Sequence, residues 1–355
     1  MKVSSKSFSK NWKQELKHSI QTIEGLIEFF GKDNIKASPY EYILKEDYKK
    51  IFEQIHRKFR FKVTRYYLNL ANIHDPKCPI LNQILPKKEE IDDQVFVSFD
   101  PLREEEFSPI PNLIHKYPDR VLWYVSHHCA VYCRFCTRKR KVSNPRSNYF
   151  KTNFETILNY IENHKEIKEV ILSGGDPLSL SDQWLFRILK HLKNIPHLYS
   201  IRIHTRMLAT LPQRFTKKFA LLGRKFYPLT IVSHFNHPRE LTQLVYQKVK
   251  LLRMNGFLIL NQSVLLKDIN DQYEILEELV LKLISFGIKP YYLHQCDDVF
   301  GVSHFYVPMQ KGIDMIKSLR TKNPGISIPL FVLDTPYVEG KIPIVQEYVE
   351  PSLKP

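Results

Sequence analysis

The chain is short of cysteine, of long apolar runs and of acids, and each shortage narrows what it can be. Five cysteines in 355 residues is an odd, low count. It argues against a disulfide framework and for a reducing compartment. No stretch approaches the roughly 18 apolar residues that a membrane span needs, so no membrane role is expected. The opening MKVSSKSFSKNWKQELKHSI has no apolar centre of the kind a secretory signal carries, so a cytoplasmic protein is expected. That opening has no arginine, which argues against a transit peptide. There is no internal repeat, no low-complexity tract and no chemical motif in the first hundred residues. Acids are outnumbered, 37 Asp and Glu against 53 Lys and Arg, for a net charge of +16. This excess reads as a Lys-rich solvated surface, or as a basic site for anionic ligands or an acidic partner.

What is present is enough apolar material, 43%, to fill a core. The length suits one large domain or two smaller ones. Trp12, Leu16, Ile20, Ile23, Ile27 and Phe30 recur at three-to-four spacing and predict one amphipathic helix over 10–30. Mixed helical patterns and Pro-rich turns follow to about 115. From 121 a regular alternation sets in. Short β-rich runs occupy 121–125, 169–175, 200–206, 228–235, 258–266 and 289–295, with helical patterns between them such as 182–195 and 271–287. Such alternation predicts a parallel α/β sheet, closed as a barrel or open and doubly wound. In either case the strand ends form the active face. Gly174, Gly175, Asp176, His204, Arg206, His234, Gln262 and Asp297 gather there.

Three of the five cysteines fall in HHCAVYCRFCTRKR, with spacing C-x3-C-x2-C at Cys129, Cys133 and Cys136, and cations follow at once. A structural zinc site wants four ligands; Cys78 and Cys296 are remote, although His127 and His128 adjoin Cys129. A redox pair of Cys133 and Cys136 leaves Cys129 unexplained. An iron–sulfur cluster on three thiolates leaves one iron open to a ligand, the same logic that leaves an open position on catalytic zinc.

The triplet follows a first strand, and LSGGDPL ends the next. Together they resemble the signature of radical S-adenosylmethionine (SAM) enzymes. Longer blocks, YCRFCTRKR, LSGGDPL, HFNHPREL, NQSVLLKDIND, PYYLHQCD, SHF and GKIP, run in order from about 110 to 345. They resemble the lysine 2,3-aminomutase family. The resemblance implies a partial six-stranded (β/α)6 parallel barrel of radical SAM type. Residues 1–115 would be a helical N-terminal extension, 116–325 the barrel, and 326–355 a C-terminal segment with the lysine for pyridoxal 5′-phosphate (PLP).

The resemblance also implies three cofactors. A 4Fe-4S cluster would take Cys129, Cys133 and Cys136. SAM would lie against Ser173, Gly174, Gly175, Asp176, His234 and Gln262. PLP would be carried by Lys341, with Lys116, Tyr117 and Arg120 around its phosphate. Arg138 would hold the substrate α-carboxylate, and Asp297 and Asp334 the distal ammonium of lysine. The implied reaction is L-lysine to β-lysine by 1,2-amino migration. The alternatives within the family are a short member supplying β-lysine for modification of elongation factor P, and an aminomutase for another amino acid. The implied partners are lysine, an electron donor such as flavodoxin or ferredoxin, and elongation factor P as a functional link; no structural zinc is expected. Lys116 stands where the family has Arg, and Tyr337, Val338 and Glu339 stand where it has glycines. Outside the family, a nucleic-acid-modifying radical SAM enzyme would use the positive charge, and a zinc-binding interaction module would use the thiols.

Overall fold

The computed structural model describes residues 11–142, 153–336, 338 and 340–345. Among the described residues, nine strands form one sheet in chain order: β1 (Leu113–Tyr117), β2 (Arg120–Ser126), β3 (Glu169–Gly174), β4 (Ser200–Thr205), β5 (Leu229–Ser233), β6 (Phe257–Val264), β7 (Lys289–His294), β8 (Leu330–Leu333) and β9 (Ile342–Pro343). Strands β2 to β8 are parallel, and antiparallel β1 and β9 flank them. The architecture is the α/β, parallel-rich barrel type expected. The six expected strands are β2 to β7. The additional parallel strand, β8, is only four residues long. It pairs Tyr292 with Leu330 and His294 with Val332, and so delivers Asp334 to the rim beside β7.

Strand alternation sorts the side chains. On β4, Ile201 and Ile203 are buried in the main core, while Arg202 and His204 line a central cavity. On β6, Phe257 and Ile259 enter the core, and Leu258, Leu260 and Gln262 line the cavity. This is the period-two pattern of a sheet with two different faces. The crossover helices cover the outer face. Three of them start on hydroxyl caps: Ser181 accepts from Trp184 N–H, Thr216 from Phe219 N–H and Thr242 from Val245 N–H. Each such cap is worth about 1 kcal/mol.

The extension has its own core of Leu26, Ile35, Phe61, Val63, Tyr67 and Ile80, among others. The single helix expected over 10–30 is two, Trp12–Lys17 and Ile23–Phe30. Ser19 Oγ donates to the carbonyl of Leu16 at 2.9 Å, and Ile20 pairs with Val63 in a β-bridge. Thr22 then caps a new helix, accepting from Gly25 N–H at 3.1 Å. The apolar spacing was right, but a local side-chain-to-backbone bond and a tertiary bridge interrupt the helix.

Candidate active site

The inner strand faces enclose a cavity of about 820 Å³. Every site residue named from the sequence lines it: Lys116, Tyr117, Arg120, the three cysteines, Arg138, Ser173 to Asp176, His234, Gln262, Asp297, Asp334 and Lys341. Tyr337 and Glu339 lie outside the described residues, and Val338 is exposed.

The cysteine loop leaves β2 and crosses the top of the barrel. One side is fixed to the end of β3. Gly175 N–H donates to Ser126 O at 2.6 Å and Asp176 N–H to His128 O at 2.8 Å. A Cβ on Gly175 would lie 2.8 Å from the backbone of His127 and His128, so only glycine allows this approach. Gly174 has φ +114°, a left-handed conformation that also favours glycine. The close approach made by this glycine pair is thus to the cysteine loop itself. Asp176 braces the turn: its carboxylate accepts from Thr205 Oγ1, Leu178 N–H and Arg206 N–H.

The other side of the loop is fixed to the extension. Tyr132 N–H donates to Lys62 O and Arg134 N–H to Gln83 O, while Val131 packs into the extension's core. Arg134, between the second and third cysteines, is 1% exposed and forks onto fully buried Glu90. Its Nε donates to both carboxylate oxygens at 3.0 Å. Lys139 Nζ adds a bond to Glu90 at 3.2 Å and another to Gly301 O at 3.1 Å. Burial alone would raise the Glu90 pKa, but the two cations outweigh it and hold it at about 2. Asp93, three residues on, accepts from the N–H groups of Gly301, Val302 and Ser303. One short segment of the extension therefore grips the cysteine loop and the loop after β7 that carries Asp297.

Burial, followed by Asp176 and the other two thiols, pushes the Cys129 thiol well up; burial and then Cys133 push Cys136 to about 11. Three clustered thiolates need positive charge to exist together. Among the described residues, no three His, Cys, Asp or Glu side chains converge on the position of a single metal ion. A bound iron–sulfur cluster would supply that charge. Arg206 Nη1 already donates to Cys133 Sγ at 2.6 Å.

At the other end of the cavity Asp334 is the hub. Lys341 Nζ donates to its Oδ2, Lys116 Nζ lies 3.7 Å from Oδ1, and Tyr117 Oη donates to Oδ1 at 3.2 Å. Lys116 also donates to Thr335 O at 2.5 Å. Burial would raise the Asp334 pKa, but Lys341 and Lys116 bring it below the ordinary carboxylate value. Asp297 behaves oppositely. Burial and the charge of Asp334 raise it to about 6, against the pull of Lys341 and Arg138.

Arg138 is not free-standing. Its Nε and Nη2 donate to Glu104 Oε1 at 2.9 and 2.7 Å, and Tyr124 Oη donates to Glu104 Oε2 at 2.5 Å. Glu104 was missed in the sequence; its only signal is an acidic run, Glu104 to Glu106, in a basic chain. His204 and His294 also face the cavity, and burial followed by nearby cations keeps both neutral. Burial and then Arg206 lower His234 to about 3, and its Nε2 is buried without a hydrogen-bond partner, as is that of His204. These atoms can meet a polar ligand inside the cavity.

Residues 123–280 match the Radical SAM superfamily. The chain is 38% identical over 352 residues to the L-lysine 2,3-aminomutase of Methanococcus maripaludis, spanning 98% of this chain and 79% of that one. It is 36% identical over 339 residues to the L-lysine 2,3-aminomutase of Clostridium subterminale, 96% of this chain and 79% of the relative. A glutamate 2,3-aminomutase of Clostridioides difficile is 32% identical over 339 residues, 96% of this chain and 77% of that one. Because the match covers more than two thirds of each of these relatives at over 30% identity, the chain belongs to the lysine 2,3-aminomutase family of radical SAM enzymes and is an aminomutase, an isomerase.

Proposed function

We propose that this aminomutase converts L-lysine to β-lysine and uses PLP beside its cluster and SAM. The observation that carries the choice of lysine is an ammonium already in place. Lys341 Nζ sits on Asp334, and its charge reaches Asp297 in the same cavity. Two acids around one cation suit a diamino acid, because buried charge must be paired. The distal carboxylate of glutamate would meet two like charges there.

The residues fit PLP. Lys341 Nζ lies 6.0 Å from the ring centre of Tyr292, and Tyr292 also feels the charges of Arg202 and Arg120. A lysine on one side of an aromatic wall and guanidinium groups near the same ring suit a flat ring with one phosphate. Arg120 stacks on Tyr117, 4.2 Å from its ring centre. Cys129, Cys133 and Cys136 would hold the cluster, with His234, Gln262 and the Ser173–Asp176 turn toward SAM. When bound, these groups supply the radical and the carrier on which nitrogen moves.

The chain's own residues position and protect. Arg138, with Glu104 fixing one edge of its fork, lines the cavity and keeps its remaining N–H donors for a substrate carboxylate. Asp334 Oδ2 holds a proton of Lys341 Nζ and so governs when that nitrogen is free to react. The cavity walls limit water around the reacting atoms. We further propose a cytoplasmic location, a flavodoxin- or ferredoxin-like electron donor, and division into extension, barrel and C-terminal segment at 115 and 325. A supply of β-lysine for elongation factor P is the alternative use of the same product.

The test is a substrate panel. The anaerobically reconstituted protein, given SAM, PLP and a reductant, should form β-lysine faster than it turns over arginine, glutamate or alanine. Faster turnover of glutamate would overturn the reading of the two acids and leave the family assignment intact.

A further inference from the structure

Arg206 follows directly on β4, outside the cysteine loop, yet its side chain touches one of the three thiols. Its Nη1 donates to Cys133 Sγ at 2.6 Å. Its Nη2 donates to Glu240 Oε1 at 2.8 Å, to Tyr67 Oη at 3.0 Å and to Gln83 Oε1. The guanidinium lies between two rings, 5.1 Å from the centre of Phe135 and 5.3 Å from that of Tyr67. Only 10% of its side chain is exposed. Such a group has one orientation.

Its counter-charge is equally fixed. Glu240 is fully buried and accepts from Asn236 N–H at 2.6 Å, His237 N–H at 3.0 Å and Tyr67 Oη at 2.7 Å. The result is an ordered line: carboxylate, guanidinium, thiol sulfur. Tyr67 and Gln83 come from the extension, Glu240 from the turn after β5, and the sulfur from the loop after β2.

We propose that Arg206 is a positioning residue that sets the reduction potential of the cluster through Cys133, and that Glu240 opposes it. The proposal rests on the reading of Cys133 as a cluster ligand. Reduction adds negative charge to the cluster. A cation donating a hydrogen bond to a ligand sulfur stabilises that state and raises the potential. A buried anion behind the cation offsets part of its field and lowers the potential. The two residues therefore act with opposite sign, although both belong to one packed network. A purely structural role would move both variants the same way.

The test is the midpoint potential of the cluster in the full, anaerobically reconstituted chain, followed by electron paramagnetic resonance with iron and sulfide counted. Arg206→Gln should keep its cluster and lower the potential enough to reduce the ratio of reduced to oxidised cluster at least tenfold at fixed poise, about 59 mV for one electron. Glu240→Gln should shift it upward. Arg206→Lys, which keeps a charge but loses the fork, should lie between Arg206→Gln and the parent; it carries the test if Arg206→Gln does not assemble. A parent-like potential in the arginine variants, or shifts of the same sign in the arginine and glutamate variants, would overturn the proposal. A parent protein with no four-iron cluster would instead overturn the reading of the three thiols.

Discussion

The barrel and the N-terminal extension each enclose a hydrophobic core, yet they place their buried charge differently. The barrel turns its polar groups inward, onto the cavity: Arg138, Asp297, Asp334 and Lys341 all line it. The extension aims its buried polar groups at the barrel. Glu90 grips Arg134 and Lys139, Asp93 grips the loop after β7, and Tyr67 holds Glu240 and Arg206. Motif-free sequence therefore positions motif-rich sequence. The difference teaches that residues carrying chemistry and residues fixing its geometry lie in separate regions, and that changes in each should fail differently. Extension variants that break its grip on the cysteine loop should lose stability and cluster together. Variants of the charged groups that line the cavity should lose catalysis while the fold persists or gains.

The largest effect should come from breaking the extension's grip. Glu90→Gln leaves two buried cations short of their anion, a loss of about 3–5 kcal/mol in stability. Urea unfolding with a parallel iron count should show both falling; full stability would mean that the buried trio is solvated. Next, Asp297→Asn should separate stability from function. It should weaken lysine use by roughly 1.5–3 kcal/mol, read as kcat/KM, by removing a charged partner. Its stability should move the other way. The folded carboxyl, near 6, lies above its ordinary value, so the folded state binds more protons between about pH 4 and 6. The parent's stability therefore drops as pH rises through that window, and the Asn variant lacks this drop. At pH 7.5 the variant should be the more stable by about 1–2 kcal/mol, an advantage absent near pH 4. Urea midpoints at the two pH values check it.

Gly175→Ala tests the seam between the β3 turn and the cysteine loop. Its methyl would press on the backbone of His127 and His128. Overpacking of this kind costs about 1–3 kcal/mol and should displace Cys129, so iron content should fall more than helical content. The smallest effect should be that of Thr64→Val. It removes the bond from Thr64 Oγ1 to Thr210 O, 2.6 Å long, that docks the extension on the barrel, and the capping bond that the same oxygen accepts from Tyr67 N–H at 3.2 Å. About 1–2 kcal/mol of stability should go, with cluster content and kcat/KM unchanged.

Much of the barrel was legible because strand period, turn residues and chemistry coincide. The β-rich runs marked β2 to β7, and the family-like blocks named cavity-lining residues from Lys116 to Lys341. Strand β8 was not legible, because four residues between Pro329 and Asp334 carry too little periodicity. The break at Ser19 was hidden because apolar spacing records the buried face and not the local bond that ends a helix. Glu90, Asp93, Glu104 and Glu240 looked like any surface acid in a charged chain. Only tertiary structure shows that Arg134, Gly301, Arg138 and Arg206 meet them.

The most direct test of the account asks whether the cavity that holds the three thiols also carries PLP on Lys341. Borohydride reduction of the PLP-loaded protein, followed by peptide mapping, should place the cofactor on the peptide containing Lys341, and Lys341→Ala should abolish that label while retaining iron and some reductive cleavage of SAM. Label on Lys116 or on any other lysine in the parent would contradict the account.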